Sequence, residues 1–163
     1  MFKFSKQLKL NQIIKAPISG KCIPIEDVLD EVFSTKMLGD GIAIDATGDT
    51  VYAPADGVIT TITNSKHAFS LKLDNGLEML IHIGLDTVKL NGEGFSVLVK
   101  VDEKVKQGSP IIKIDREFII SKGMEFVTPV VILDADKYDI HKYTIGEDVI
   151  GGKSTVMECK VIK

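Results

Sequence analysis

"VYAPADGVITTI", residues 51–62, decides the fold class, because the chain has already run through a version of it in "IKAPISGKCIPI", residues 14–25. Each copy sets Ala-Pro-x-x-Gly among branched residues, a tight turn that feeds an extended run suited to a pleated, half-buried surface. A repeated unit of this kind points to two related halves closing one barrel or sandwich. Outward from the pair the punctuation continues, with "GDG" at 39–41 and "NG" at 75–76 and 91–92. Between the turns lie "GIAID", "GVITTI", "HAFSLKL", "LEMLIHI", "PIIKI" and "TPVVIL", short and rich in Ile, Val, Leu and Phe. This pattern predicts an all-β, antiparallel sandwich or barrel rather than alternating strands and helices. Short helical turns are expected at "DVLDEVF" (27–33), "REFIISKG" (116–123) and "KYDIHKY" (137–143). Val105, Gly108 and Ile111 in "VDEKVKQGSPIIKID" (101–115) frame a further strand-turn-strand unit.

A chain of 163 residues, 44% of them hydrophobic, can bury one core and is short for two. Residues 14–163 are therefore read as a single domain. The net charge of -3 argues against a broad basic footprint for nucleic acid. Cys22 and Cys159 stand outside any CxxC spacing and read as buried or free thiols. No apolar run approaches the roughly 18–20 residues of a membrane span, and "MFKFSKQLKLNQ" lacks the apolar centre of a signal peptide, so a cytoplasmic protein is expected. Lys3, Lys6 and Lys9 alternate with Phe2, Phe4, Leu8 and Leu10 without a carboxylate. Residues 1–13 are read as a flexible N-terminal arm whose composition allows weak contact with an anionic membrane. The start at Met1 suggests a free-standing protein, and a monomer is expected.

Chemistry concentrates in "KHAFSLKLDNGLEMLIHIGLDTV", residues 66–88, which holds two of the three histidines. A hairpin turning at Asp74-Asn75-Gly76 brings the two flanking runs together. Two of the three plausible registers put His67 and His82 on one face with Cβ atoms roughly 4.5–8 Å apart. A three-residue loop would place them on opposite faces. Gly84 leaves room for close approach beside His82, while Ser65 and Asp86 bring a hydroxyl and a carboxylate to the same neighbourhood. A neutral imidazole pair suits phosphoryl transfer, one ring attacking phosphorus and the other donating to its oxygens. Zinc hydrolysis would need a third protein ligand and an open water position, and no HxH or HExxH supplies it. His141, in a polar stretch beside Lys142, reads as a surface residue.

From about Ile14 to Ile162 the chain resembles the glucose-type enzyme IIA of the bacterial phosphoenolpyruvate-dependent sugar phosphotransferase system. The resemblance is carried by "APISG", "IEDVLDEVFSTKMLGDGIAI", "VYAPADGVI", "KHAFSL", "LIHIGLDTVKLNGEGF", "VKQGSPII" and "TPVVI", in order. It implies a sandwich or barrel of the duplicated hybrid type acting as a phosphocarrier. It implies that His82 accepts a phosphoryl group as tele-phosphohistidine from the histidine-containing phosphocarrier protein. His82 would then pass it to a cysteine on the enzyme IIB domain of a sugar permease, with His67 stabilising the group in transit and Ser65, often Thr in the family, orienting His67. Val32, Phe33, Met37 and Leu38 match an apolar docking rim, and Asp30 and Asp86 match acidic positions beside it. Lys89 and Lys66 depart from the acidic and amide residues of some relatives. No cofactor is obligatory on this reading. Zinc at His67 and His82, completed by a partner's carboxylate, is a variant. Two alternatives stand beside the carrier: a binding protein that regulates its targets through its phosphorylation state, and a zinc peptidase on a related hybrid fold.

Overall fold

The two Ala-Pro-x-x-Gly stretches lie side by side and exchange hydrogen bonds. In the computed structural model, which describes residues 11–162, Lys15 N–H donates to the Pro54 carbonyl at 2.9 Å and Tyr52 N–H to the Pro17 carbonyl at 2.7 Å. The offset from 15 to 52 is also the offset from 17 to 54, so the duplication is written in the backbone bonds as well as in the residues. Ala16 donates to Ser154 and accepts from Gly152, just as Ala53 donates to Ser109 and accepts from Gly108.

The strands are β1 (Asn11–Lys15), β2 (Gly20–Pro24), β3 (Gly39–Ala46), β4 (Thr50–Tyr52), β5 (Gly57–Ile62), β6 (Ala68–Lys72) and β7 (Glu78–His82). They continue as β8 (Phe95–Val97), β9 (Lys104–Val105), β10 (Pro110–Ile114), β11 (Val127–Leu133), β12 (Tyr138–Lys142), β13 (Asp148–Val149) and β14 (Thr155–Val161). Eight form one sheet in the order β13-β2-β3-β11-β7-β6-β5-β9, and two three-stranded sheets, β1-β14-β12 and β4-β10-β8, complete the fold. The large sheet reads as a palindrome about its central β11-β7 pair. Gly20 faces Val149 at one edge and Gly57 faces Val105 at the other. Every strand pairing among the described residues is antiparallel.

One large core lies between these layers, with Ile14, Ile44, Phe69, Ile81, Ile112 and Met157 among its fully buried members. Burial of each such side chain contributes about 1.5–3 kcal/mol. Alternation in β7 sends Met79 and Ile81 into this core and leaves Glu78, Leu80 and His82 on the other face. A second, smaller cluster of Ile25, Val28, Phe33, Ala43 and Val131 packs there. Phe33 comes from α1 (Glu31–Ser34), a single turn capped by Asp30, whose carboxylate accepts from Val32 N–H at 3.0 Å.

Three sequence expectations need correction. "KYDIHKY" forms no helix; Tyr138–Lys142 is strand β12, alternating half-buried and exposed residues against β14. "DVLDEVF" is broken in the middle, with Asp27 ending a 3-10 turn (Ile25–Asp27) and the helix resuming only at Glu31, while α2 (Arg116–Ser121) forms as expected behind an Asp115 cap. Residues Asn11–Ile13, assigned to the arm, are strand residues of β1 paired with β14, because that strand offers an unpaired edge. Residues 1–10, and the membrane contact expected of them, lie outside the described residues. Cys22 and Cys159 are free and buried. Among the described residues no helix is long and apolar enough to cross a membrane.

Candidate functional site

His82 is the last residue of β7, and the chain turns sharply behind it. Gly84 has φ +76, and a Cβ there would lie 2.8 Å from the Glu125 carbonyl, so only glycine fits this left-handed turn. The turn brings the Gly84 carbonyl to 2.7 Å from His82 Nδ1. A carbonyl only accepts, so Nδ1 carries the proton and Nε2 keeps a free lone pair.

His67 stands just before β6, and its ring meets His82 edge to face, with 4.8 Å between centroids and 82° between planes. The hairpin loop is Asp74-Asn75-Gly76, closed by Leu73 N–H to the Leu77 carbonyl, and Ala68 rather than His67 lies opposite His82. This is the register expected to separate the two rings. They meet because Lys66 is left-handed (φ 61) and His67 lies outside the ladder, held through its carbonyl by Ile83 N–H at 2.7 Å.

The hydroxyl beside His67 belongs to Thr63, 3.3 Å from Nδ1, and not to Ser65. Thr63 sits across the tight turn from Ala68, exchanging Thr63 N–H to Ala68 carbonyl at 3.0 Å and Ala68 N–H to Thr63 Oγ1 at 3.2 Å. The His67 contact expected of Ser65 is made here by Thr63. Proximity in sequence pointed to Ser65, whereas the turn at Lys66 delivers Thr63.

Both imidazoles are held neutral. Burial, and then the neighbouring His82, push His67 down to about 4. Burial also lowers His82, partly opposed by the Gly84 carbonyl and by the Asp30 carboxylate. Asp30, the cap of α1, is the acidic residue whose charge reaches His82; Asp86 is solvent-exposed at the head of the turn Thr87–Leu90.

The apolar rim divides. Phe33 is only 4% exposed and lies against His82 at 5.1 Å between centroids, so it is a wall of the site rather than a free docking residue. Val32, Met37 and Leu38 are exposed, Met37 at 72%. Leu29, 87% exposed, and Val88 are further exposed apolar residues, one beside Asp30 and the other in the turn after Asp86; the sequence reading missed both, because isolated apolar residues are ordinarily assigned to a core. Lys36 bridges Glu26 at 3.2 Å and Asp40 at 3.6 Å, and Lys142 of β12 reaches Asp40 at 2.8 Å, which ties the Met37–Leu38 segment to the body of the protein. His141 lies in β12, its ring tilted against that of Tyr143 with 4.4 Å between centroids.

Among the described residues no group of three or more His, Cys, Asp or Glu is placed to hold a metal ion. His67 and His82 alone leave a zinc site short of protein ligands. The arrangement is a buried-edged pair of neutral imidazoles, one with its nucleophilic nitrogen free, set in an apolar surface.

Comparison with known proteins identifies the family. Residues 12–138 match the family described as phosphoenolpyruvate-dependent sugar phosphotransferase system, EIIA 1. A glucose-specific EIIA component of Bacillus anthracis is 42% identical over 161 residues, covering 97% of this chain and 98% of the relative. One from Staphylococcus epidermidis is 37% identical, covering 99% and 97%. The glucose-specific EIIBCA component of Corynebacterium glutamicum is 49% identical over 125 residues, 77% of this chain, and the match spans only 18% of that longer relative. Among solved structures, glucose permease IIA from Mycoplasma capricolum superimposes with a TM-score of 0.84 at 34% identity, covering 91% of this chain and 95% of that one.

Proposed function

The chain belongs to the EIIA 1 family and is a phosphocarrier of the sugar phosphotransferase system, and from that premise we propose a route through its two histidines. His82 Nε2 accepts the phosphoryl group from the histidine-containing phosphocarrier protein. The Nε2 lone pair forms the new N–P bond as the donor's N–P bond breaks, and that electron pair returns to the donor nitrogen. The proton on Nδ1 stays where it is, so the phosphorylated ring is cationic and the Gly84 carbonyl at 2.7 Å faces its N–H. His67, with Nδ1 toward Thr63, turns its other nitrogen to the phosphoryl oxygens and donates to them. In the onward step a cysteine thiolate of an enzyme IIB domain attacks phosphorus, and the N–P electrons return to Nε2.

The observation that carries this reading is the Nδ1 contact with the Gly84 carbonyl, which leaves Nε2 unprotonated beside a second neutral ring. Phe33 walls the site, and the exposed Val32, Met37 and Leu38 make an apolar collar that meets two partners in turn and, with a partner docked, keeps water from a reactive phosphohistidine. The EIIB partner is suggested by the EIIBCA name of the Corynebacterium relative, and a cytoplasmic location follows from a route that starts at phosphoenolpyruvate.

The same collar supports a second use, binding regulatory targets only while unphosphorylated, because a phosphate dianion on His82 would oppose burial of that surface. The route is tested by passing labelled phosphate from phosphoenolpyruvate through purified general phosphotransferase proteins to wild type and His82→Gln, with EDTA present. Label on wild type and none on His82→Gln is the expected result; equal label on both would overturn it.

A further inference from the structure

Thr87 is the one wholly buried hydroxyl in the turn behind His82, and the route above gives it no task. Its Oγ1 donates to the Ile83 carbonyl. On its other side, a Cβ at position 84 would lie 2.6 Å from Thr87 Cγ2, so the methyl rests directly on the Gly84 backbone. Thr87 therefore grips both residues between the nucleophile and the carbonyl that holds its Nδ1: Ile83 by hydrogen bond, Gly84 by contact. Ile83 is also tied to the second histidine, because its N–H donates to the His67 carbonyl at 2.7 Å.

We infer that Thr87 is a positioning residue for phosphoryl transfer: by fixing the Ile83–Gly84 segment it aims the Gly84 carbonyl at His82 Nδ1 and so holds His82 in the tautomer with Nε2 free. The inference rests on His82 being the acceptor. The reasoning is one of geometry. A lone glycine in a left-handed turn is conformationally permissive, and its carbonyl direction changes with a modest rotation of the adjoining peptide. Rotation of the Ile83–Gly84 peptide would unpair the buried Ile83 carbonyl from Thr87, which is unfavourable. When the hydroxyl is lost, the Ile83 carbonyl has no donor, and the turn relaxes toward conformers in which Gly84 no longer selects which nitrogen carries the proton. In the Nδ1-unprotonated tautomer Nε2 bears hydrogen and has no lone pair for phosphorus.

Three variants separate the two parts of the side chain. Thr87→Ser keeps the hydroxyl, Thr87→Val keeps the branched shape, and Thr87→Ala removes both without adding bulk. The tautomer of His82 is read in the unphosphorylated protein from long-range proton–nitrogen-15 correlations of its ring, and phosphoryl acceptance is timed separately. Wild type and Thr87→Ser should show Nε2 as the unprotonated nitrogen, whereas Thr87→Val should show the Nε2-protonated tautomer predominating by about tenfold and accept phosphate about tenfold more slowly. Should Thr87→Val not fold, Thr87→Ala carries the same expectation. A wild-type tautomer pattern in a folded variant lacking the hydroxyl overturns the inference, whatever its rate. Because that readout needs no phosphoryl transfer, failure of His82 as acceptor would appear instead as label retained on His82→Gln.

Discussion

His67 and His82 meet edge to face at 4.8 Å although their strands are registered one residue out of step, with Ala68 directly across from His82. In an unbroken ladder that register would send the two side chains to opposite faces. The left-handed Lys66 ends the alternation immediately before His67 and lets its ring come round to His82. Site formation thus depends on where β6 begins, and the division of labour between the rings follows from their different tethers.

On the proposed route His82 attacks and His67 stabilises charge, so their variants should fail at different steps. His67→Gln is expected to retain most phosphoryl acceptance while transfer to the enzyme IIB cysteine slows by about 10²-fold or more, the loss typical of one donor to a developing charge. Rapid-quench kinetics of each half-reaction would distinguish this from equal losses in both, which would mean that the rings act as a unit.

Thr63 and Ser65 offer a direct contrast. Thr63→Val removes the hydroxyl 3.3 Å from His67 Nδ1 and should shift the His67 ring signals and slow onward transfer several-fold, about 1 kcal/mol for one hydrogen bond. Ser65→Ala should change neither. The opposite pattern would return the orienting role to Ser65.

Acid should destabilise the protein through His67. Its value in the fold is about 4 against 6.5 for an ordinary histidine, so between those values the unfolded chain binds more protons than the folded one. Stability is then full above pH 6.5 and declines as pH falls toward about 4. Urea midpoints measured at pH 7.5, 6 and 5 should fall in that order, and less steeply in His67→Gln. Parallel slopes in the two proteins would contradict the assignment.

Much of this was legible in the chain itself. The two Ala-Pro-x-x-Gly stretches announced the duplication, and "GVITTI" and "PIIKI" are strands from first residue to last. Two strands were obscured by composition. β1 is polar and lysine-flanked and becomes a strand through β14, a partner far away in sequence. β12 carries Tyr138, Ile140 and Lys142 on its half-buried face, a spacing that a short stretch shares with a helical turn. The paired histidines were legible as a pair, yet Thr63 was not, because its approach to His67 depends on one left-handed residue that no apolar pattern encodes.

The exposed rim should matter for partners and not for folding. Met37→Glu, at a position 72% exposed, is expected to leave stability within about 0.5 kcal/mol. It should reduce phosphoryl exchange with both the donor and the enzyme IIB acceptor, because it places a charge in an apolar docking surface. Denaturation curves together with exchange rates at low and high protein concentration would check this. An unchanged rate at limiting concentration would exclude Met37 from the docking surface.

The most direct test of the central claim is to locate the phosphoryl group on the ring. Protein labelled with nitrogen-15 at histidine is phosphorylated from phosphoenolpyruvate through the general phosphotransferase proteins, and phosphorus–nitrogen coupling is read by NMR. Coupling to Nε2 of His82, with the Nδ1 proton retained and His67 unmodified, is the predicted result. Phosphorus on His67, or on Nδ1 of His82, would contradict the account.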